Sequence, residues 1–231
     1  MNLAVLAEQN VQRFGEYEAL IFEERVLTNT EQLADARRFA NVLSGLGVGP
    51  GDRVAVMMPN RPEVFTAYGG TTALGAVSVP IVFLLAVPEV HHILADAGPK
   101  VVVTSPELLG TVQMAIEGLG EPPEIVATGP QVPGGVRSFE ALMEEAGVEF
   151  AVVDRKDSDL AVIMYTGGTT GQPKGVMIGH GNLAWNATTL ARMADIEPGD
   201  MSLLALPVSH LFGLIAAITG RVLGVRGVLM L

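Results

Sequence analysis

The chain has 231 residues, with 14 Lys plus Arg, 25 Asp plus Glu and no Cys, which gives a net charge of -11. Without Cys, a thiol nucleophile, a CxxC redox motif, a Cys-ligated zinc site and an iron–sulfur cluster are all excluded. The acidic balance disfavours a nucleic-acid partner, because binding to a phosphate backbone requires clustered Lys and Arg.

The first hundred residues predict alternating helices and strands. MNLAVLAEQNVQRF has no basic leader and has the pattern of an amphipathic helix. Thr28 and Glu31 form a capping box at the start of a second helix. A turn at residues 50–52 leads into the strand RVAVMMP, and the β-branched residues of LGAVSVP predict another strand. Pro88 then begins a helix that ends at Gly98.

The middle of the chain alternates in the same way. KVVVT predicts a buried strand, Pro106 begins a helix, and EIVAT predicts a short strand within the loop-rich residues 121–135. Ser138 caps a further helix, residues 160–165 predict a strand, and a helix follows residue 180. This alternation predicts an α/β fold with mixed β-sheets flanked by helices.

The last apolar stretch, residues 203–220, raises the question of a membrane span. Mean hydropathy is +0.40 and only 17% of the residues are charged, whereas soluble domains carry about 25%. The stretch is long enough to cross a bilayer, but Pro207 and His210 inside it are costly in lipid. We therefore expect a cytoplasmic protein without a transmembrane segment, whose apolar surface is covered by something else.

Two segments of the chain resemble each other. Each begins with Pro-Gly-Asp, at Pro50 and at Pro198, and then predicts a strand, a helix closed by a Leu-Gly pair, and a second strand. The similarity predicts two similar sub-domains, with residues 1–195 containing the loop 165–175 and residues 196–231 beginning a second, incomplete one. Chance is the alternative, because Pro-Gly-Asp turns are common. The chain stops on the apolar strand GVLML, from which we expect a truncation.

Most of the chemistry is carried by LAVIMYTGGTTGQPKGVMIGH, residues 160–180. Residues 166–175 are expected to form a loop, with four Gly, three Thr, one Pro and one Lys. Gly lets backbone amides surround an anion, Thr hydroxyls donate to phosphate oxygens, and Lys174 adds a mobile positive charge. A Walker A P-loop is excluded, because Pro173 and Gly175 stand where it requires Gly and Ser or Thr.

The loop YTGGTTGQPKGV resembles the phosphate-binding signature of the adenylate-forming superfamily, which includes acyl-CoA synthetases, coumarate-CoA ligases, luciferases and peptide-synthetase adenylation domains. The usual signature has Ser where this chain has Gly167, and commonly Lys where it has Gln172. The loss of the Ser hydroxyl removes one phosphate donor. LGVGPGDRVAVMMPN and LGAVSVP upstream, and LALPVSHLFGL downstream, resemble further segments of the family in the expected order.

This resemblance implies a ligase that uses ATP with Mg²⁺ to convert a carboxylic acid, here a fatty acid, to an acyl-adenylate, and then transfers the acyl group to coenzyme A. It implies catalytic roles for Lys174 and His210 and an acyl site at His210, Phe212 and Gly213. The ATP phosphates would be bound by Thr166, Gly167, Gly168, Thr169, Thr170, Gly171 and Lys174. Thr169 and Thr170 would also make indirect contacts to the metal.

Several alternatives stay open at this point. His210 lies between Leu and Phe residues and is also compatible with a satisfied core residue. The family's GYGxTE-like and YxTGD-like motifs and its small C-terminal domain do not occur in the chain, so we expect an N-terminal portion that is inactive alone. A non-catalytic module that binds a nucleotide or a partner is the alternative. An exposed apolar face would favour self-association.

Overall fold

The computed structural model describes residues 1–166 and 172–230. In these residues the helices are α1 (Val5–Phe14), α2 (Asn29–Gly45), α3 (Pro62–Ala73), α4 (Val87–Ala97), α5 (Pro106–Ile116), α6 (Phe139–Glu145), α7 (His180–Met193) and α8 (Leu211–Leu223). The strands are β1 (Glu18–Phe22), β2 (Arg25–Thr28), β3 (Arg53–Met57), β4 (Val77–Pro80), β5 (Val101–Thr104), β6 (Glu124–Ala127), β7 (Arg137–Ser138), β8 (Leu160–Thr166), β9 (Lys174–Gly179), β10 (Met201–Leu204) and β11 (Arg226–Leu229).

A seven-stranded sheet forms the centre of the molecule, in the order β7-β6-β5-β3-β4-β8-β9. Its neighbouring strands are parallel except β9, which runs antiparallel to β8. Alternate residues of β3 face opposite cores: Val54 packs with residues of α2 and α3, and Ala55 packs with residues of α4 and α5. Burial on both faces is typical of parallel sheets covered by helices. The predicted α/β fold with mixed sheets is confirmed.

A second sheet has the order β10-β11-β1-β2. β11 lies between β10 and β1 and is parallel to both, with Leu20 opposite Gly227. This sheet takes strands from both sides of the predicted boundary between residues 195 and 196. The division into residues 1–195 and 196–231 stays a prediction.

The two repeated segments share their backbone hydrogen bonds as well as their sequence pattern. Each forms two adjacent parallel strands joined by a helix, β3-α3-β4 and β10-α8-β11. The turn glycine before the first strand donates to the glycine that ends the helix: Gly51 N to Gly75 O at 2.9 Å, and Gly199 N to Gly224 O at 3.1 Å. All four glycines have positive φ, which Gly adopts without a steric penalty. The two segments therefore have the same local architecture, and their origin as two similar sub-domains stays a prediction.

The apolar stretch at residues 203–220 is divided between β10, a connecting segment and α8. Across the described residues, 1–166 and 172–230, every helix is too short or too polar to span a bilayer. The predicted helix start at Thr28 is confirmed, since Thr28 Oγ1 accepts from Glu31 N at 3.1 Å and Glu31 Oε2 accepts from Thr28 N at 2.7 Å.

Candidate functional site

The ends of β8 and β9 form the first part of the candidate site. Thr166 is the last residue of β8 and lies directly opposite Lys174, the first residue of β9. The prediction that both belong to a loop is wrong, because the antiparallel ladder extends to this pair. Gly175, also placed in the loop, pairs with Tyr165 within the same ladder. The connection between Thr166 and Lys174 is therefore shorter than the sequence pattern indicated.

This strand end has the position that ligand sites take in α/β proteins. Thr166 lies at the carboxyl end of β8, which is parallel to β4, and open α/β sheets bind ligands beyond the carboxyl ends of their parallel strands. Thr166 and Lys174 are both exposed. No ion pair among the described residues involves Lys174. The ammonium group therefore has no carboxylate within that part of the chain to compete with an incoming phosphate.

Five residues of the predicted phosphate-binding set lie outside the described residues: Gly167, Gly168, Thr169, Thr170 and Gly171. Their predicted contacts to phosphate, and those of Thr169 and Thr170 to a metal, stay predictions. Residues 1–166 and 172–230 offer no group of three or more His, Asp or Glu side chains that could hold a metal ion. Magnesium therefore has no ligand set among the described side chains.

His210 lies immediately before α8, with its backbone extended at φ -107°. Its side chain is exposed, so the interpretation of His210 as a core residue is wrong. Phe212, two residues further along the chain, is 61% exposed. His210 O accepts from Leu214 N at 3.0 Å, and this bond begins the helix. The structure thus presents an exposed imidazole just before the helix and an exposed phenyl ring in its first turn.

Gly213 has a backbone reason for its identity. It is buried, and a Cβ built on it would lie 2.2 Å from Pro207 O. No side chain can be accommodated there unless the segment before α8 moves. Gly213 therefore allows residues 206 and 207 to pass against the first turn of α8, and its predicted contact to an acyl group stays a prediction.

Asn60 connects this segment to the central sheet, and the sequence reasoning missed it. Asn60 follows β3; its Oδ1 accepts from Val208 N at 2.9 Å, and its Nδ2 donates to Leu206 O at 3.0 Å. Longer contacts from Nδ2 reach Leu204 O at 3.4 Å and Met230 O at 3.3 Å. A single buried amide therefore joins the carboxyl ends of β3, β10 and β11. The only signal in the sequence was a short polar residue directly after an apolar strand.

The two parts of the site are separated by one strand. Asn60 follows β3, Thr166 ends β8, and β4 lies between these strands. Because neighbouring strands are about 4.8 Å apart, the strands that carry the two parts are roughly 10 Å apart. Lys174 lies one strand further, on β9, so one extended ligand that contacts both Lys174 and the segment tied to β3 spans about three strand spacings, roughly 14 Å.

His180, at the start of α7, is buried and uncharged. Its Nδ1 accepts from Leu3 N at 3.1 Å, and Nε2 has no hydrogen-bond partner in the described structure. Burial, with a further contribution from Arg155, lowers the pKa of His180 to about 4. At neutral pH this imidazole cannot act as a cationic phosphate ligand.

Several known proteins are similar to this chain in both sequence and fold. A family model described as AMP-binding enzyme matches residues 7–231. Long-chain-fatty-acid–CoA ligase FadD13 of Mycobacterium tuberculosis is 37% identical over 199 residues, which is 86% of this chain and 39% of that relative. The chain thus spans about two fifths of the relative's length.

Solved structures agree with the sequence comparison. The anthranilate CoA ligase AuaEII in complex with anthranoyl-AMP has a TM-score of 0.95 and 26% identity, over 100% of this chain and 45% of that one. ATP-bound MatB from Rhodopseudomonas palustris has a TM-score of 0.84 and 31% identity, over 100% of this chain and 45% of that one. The similarity includes both sheets, because it covers the whole chain.

Proposed function

Because the chain belongs to the AMP-binding enzyme family, we propose that it is the part of an AMP-forming CoA ligase that binds the ATP phosphates and one wall of the acyl site. The observation that carries the proposal is the pairing of Thr166 with Lys174 at the carboxyl end of β8, with exposed His210 on a segment tied to β3. In this proposal the exposed ammonium of Lys174 and the exposed imidazole of His210 contact opposite ends of one ligand.

The proposed reaction has two steps. A carboxylate oxygen attacks the α-phosphorus of ATP, the bond to the bridging oxygen of the β-phosphate breaks, and pyrophosphate leaves. The thiolate sulfur of coenzyme A then attacks the acyl carbon, and AMP leaves with the bonding electrons. No enzyme nucleophile takes part, so the enzyme acts by positioning and by stabilising charge.

The described residues of the candidate site each have a role in this proposal. The Lys174 ammonium binds the β- and γ-phosphates and stabilises the negative charge that develops on pyrophosphate. The Thr166 hydroxyl donates to a phosphate oxygen. His210 donates to the carboxylate or adenylate, and Phe212 packs against the acyl group. Magnesium would neutralise phosphate charge when it accompanies ATP, and no described side chain is assigned to it.

The acid is proposed to be a fatty acid. The matched M. tuberculosis relative is named for long-chain fatty acids, while the matched AuaEII structure is an anthranilate ligase. In the segment around His210, Leu206 and Phe212 are both exposed and offer apolar surface to a ligand. An aliphatic chain fits such a surface, and competition between palmitate and anthranilate for turnover discriminates between the two classes.

The test uses the longer protein that contains this chain, assayed for carboxylate-dependent exchange of pyrophosphate into ATP. Lys174→Ala removes a charge-assisted hydrogen bond to a phosphate, so it should raise the KM for ATP roughly 10- to 100-fold. The matched control is Lys156→Ala, because Lys156 is also exposed but follows no strand of the site. Equal kinetics for the two variants would refute the phosphate role of Lys174.

We further propose that the 231 residues alone bind nucleotide but do not catalyse pyrophosphate exchange. Binding of ATP without exchange agrees with this and also fits a non-catalytic module. Adding the remaining part of the protein in trans separates these functions, since restored exchange requires a ligase. Robust exchange by the 231 residues alone would contradict the proposal.

A further inference from the structure

Two side chains of helix α4 contact the β8–β9 hairpin, at strand β8 and at the residue just before strand β9. The His92 ring nitrogen Nε2 is 2.9 Å from Pro173 O, and the Tyr165 hydroxyl donates to Asp96 Oδ2 at 2.5 Å. His92 and Asp96 are four residues apart, and positions i and i+4 share a helix face. One helix face is therefore bonded to the residue before Lys174 and to the residue before Thr166.

The contact to β8 depends on the packing of the Tyr165 ring. Gly175 lies opposite Tyr165 in the ladder, and a Cβ there would be 3.1 Å from Tyr165 Cζ and 2.8 Å from Ile163 Cγ2. The ring thus lies across the space that a side chain at position 175 would occupy. Burial, and then the bond to Asp96, raise the pKa of Tyr165, so its hydroxyl stays protonated and donates.

The contact to Pro173 O fixes the peptide bond that joins Pro173 to Lys174. Pro173 O is an acceptor only, so His92 Nε2 must carry the hydrogen. The proline ring also restricts φ of Pro173. With φ restricted and the carbonyl bonded, the direction in which the chain enters Lys174 is set from two sides.

We propose that His92 and Asp96 are positioning residues for the phosphate contact of Lys174. This rests on the proposed function. Lys174 has a long side chain and loses much rotamer freedom when it binds a phosphate. A backbone held in place before binding reduces the remaining cost, and a displacement of about 1 Å in a positioning group can lower a rate by roughly a hundredfold.

The neighbouring His91 provides a matched control. His91 is on the same helix and also makes one bond to a backbone carbonyl, from Nδ1 to Ala115 O at 2.8 Å, but that carbonyl belongs to α5. His91→Ala and His92→Ala therefore remove the same chemistry from adjacent positions. Only the second removes a bond to the hairpin.

The experiment measures binding of inorganic pyrophosphate to the 231-residue chain by calorimetry, together with thermal melting. Loss of one hydrogen bond to the hairpin should weaken binding roughly 3- to 10-fold in His92→Ala, with His91→Ala at the wild-type affinity. His92→Gln keeps a donor and should restore most of the affinity. Amide hydrogen exchange at Lys174 should accelerate in His92→Ala and not in His91→Ala.

The outcomes distinguish this proposal from the proposed function. If the wild type does not bind pyrophosphate, or Lys174→Ala does not weaken binding, the phosphate role of Lys174 fails and the positioning role fails with it. If Lys174→Ala weakens binding while His92→Ala and His91→Ala behave alike, only the positioning role is overturned. A lower melting temperature of His92→Ala with unchanged affinity overturns it as well.

If His92→Ala does not fold, a second variant tests the proposal. Tyr165→Phe removes only the hydroxyl that donates to Asp96 and keeps the ring that packs on Gly175. It should weaken pyrophosphate binding by a similar factor, and wild-type affinity of Tyr165→Phe would overturn the role of Asp96.

Discussion

Asn60 Oδ1 accepts a hydrogen bond of 2.9 Å from Val208 N, across 148 positions of the chain. Asn60 is buried, and its Nδ2 donates to Leu206 O at 3.0 Å. The amide thus satisfies backbone groups on both sides of Pro207. The segment that presents His210 is held to the central sheet by this side chain.

Asn60→Ala should therefore be strongly destabilising. The substitution leaves the buried Val208 amide without its partner, which costs about 1–3 kcal/mol, and also removes the part-buried bond to Leu206 O. Urea denaturation should show a loss of roughly 2–4 kcal/mol in the free energy of unfolding. The control is Asn186→Ala, because Asn186 makes one exposed bond to Asn182 O within α7. Similar losses in both variants would contradict the role of Asn60.

Gly213→Ala should destabilise the protein or displace the segment that carries His210. A Cβ at position 213 would lie 2.2 Å from Pro207 O, closer than any van der Waals contact, and overpacking of this kind costs about 1–3 kcal/mol. Gly220 is on the same helix and has no atom within 4 Å of a built Cβ. Gly220→Ala should stabilise by up to about 1 kcal/mol. Thermal melting of the two variants should shift in opposite directions, and a shared direction would refute the packing argument.

Stability should fall as the pH is lowered from 6.5 towards 4 because of His180. The folded pKa is about 4, against 6.5 for the unfolded chain. Between these values the unfolded state binds a proton that the native state does not, so the free energy of unfolding decreases with falling pH, by at most about 3 kcal/mol. The charged groups that affect the ring are Arg155, the N-terminal amine, Asp159 and Asp157.

Urea denaturation at pH 7, 6 and 5 measures this dependence. His180→Gln keeps an acceptor for Leu3 N and removes the titrating ring, so its stability should change much less across the same range. An equally steep decrease in the variant would assign the effect to other groups.

The chain should self-associate through apolar side chains on and around α7 and β9. Met177 is 75% exposed and Met193 is 78% exposed, and large exposed apolar surfaces promote association. Light scattering on the 231-residue chain should show species larger than a monomer at high concentration. Met177→Glu should reduce them, whereas Met114→Glu on α5 should not. A monomer at all concentrations would contradict this prediction.

The local elements were predictable because their signals lie close together in sequence. The capping box of Thr28 and Glu31 and the Val-rich strands each depend on neighbouring residues. The same holds for the repeat, since its turns and strands recur with the same local pattern. The resemblance to the adenylate-forming superfamily was carried by such segments and proved sufficient for the family.

The contacts that assemble the candidate site were not predictable in this way. His92 is 81 positions from Pro173, and Tyr165 is 69 positions from Asp96. Nothing local distinguishes His92 from His91. The extension of β9 to Lys174 was missed because a ladder forms by pairing with β8, while the local composition of residues 166–175 favours a loop.

The amino-acid sequence by itself determined the alternation of strands and helices, the family and the residue types available to a phosphate. Those properties follow from local propensity, capping and composition, which act over a few residues. Only the tertiary structure decided that β10 and β11 join β1 and β2, that Asn60 holds the segment before His210, and that α4 bonds to Tyr165 and Pro173 beside Thr166 and Lys174. These relationships depend on burial and hydrogen bonding between distant segments, which exist only once the sheets and helices have packed.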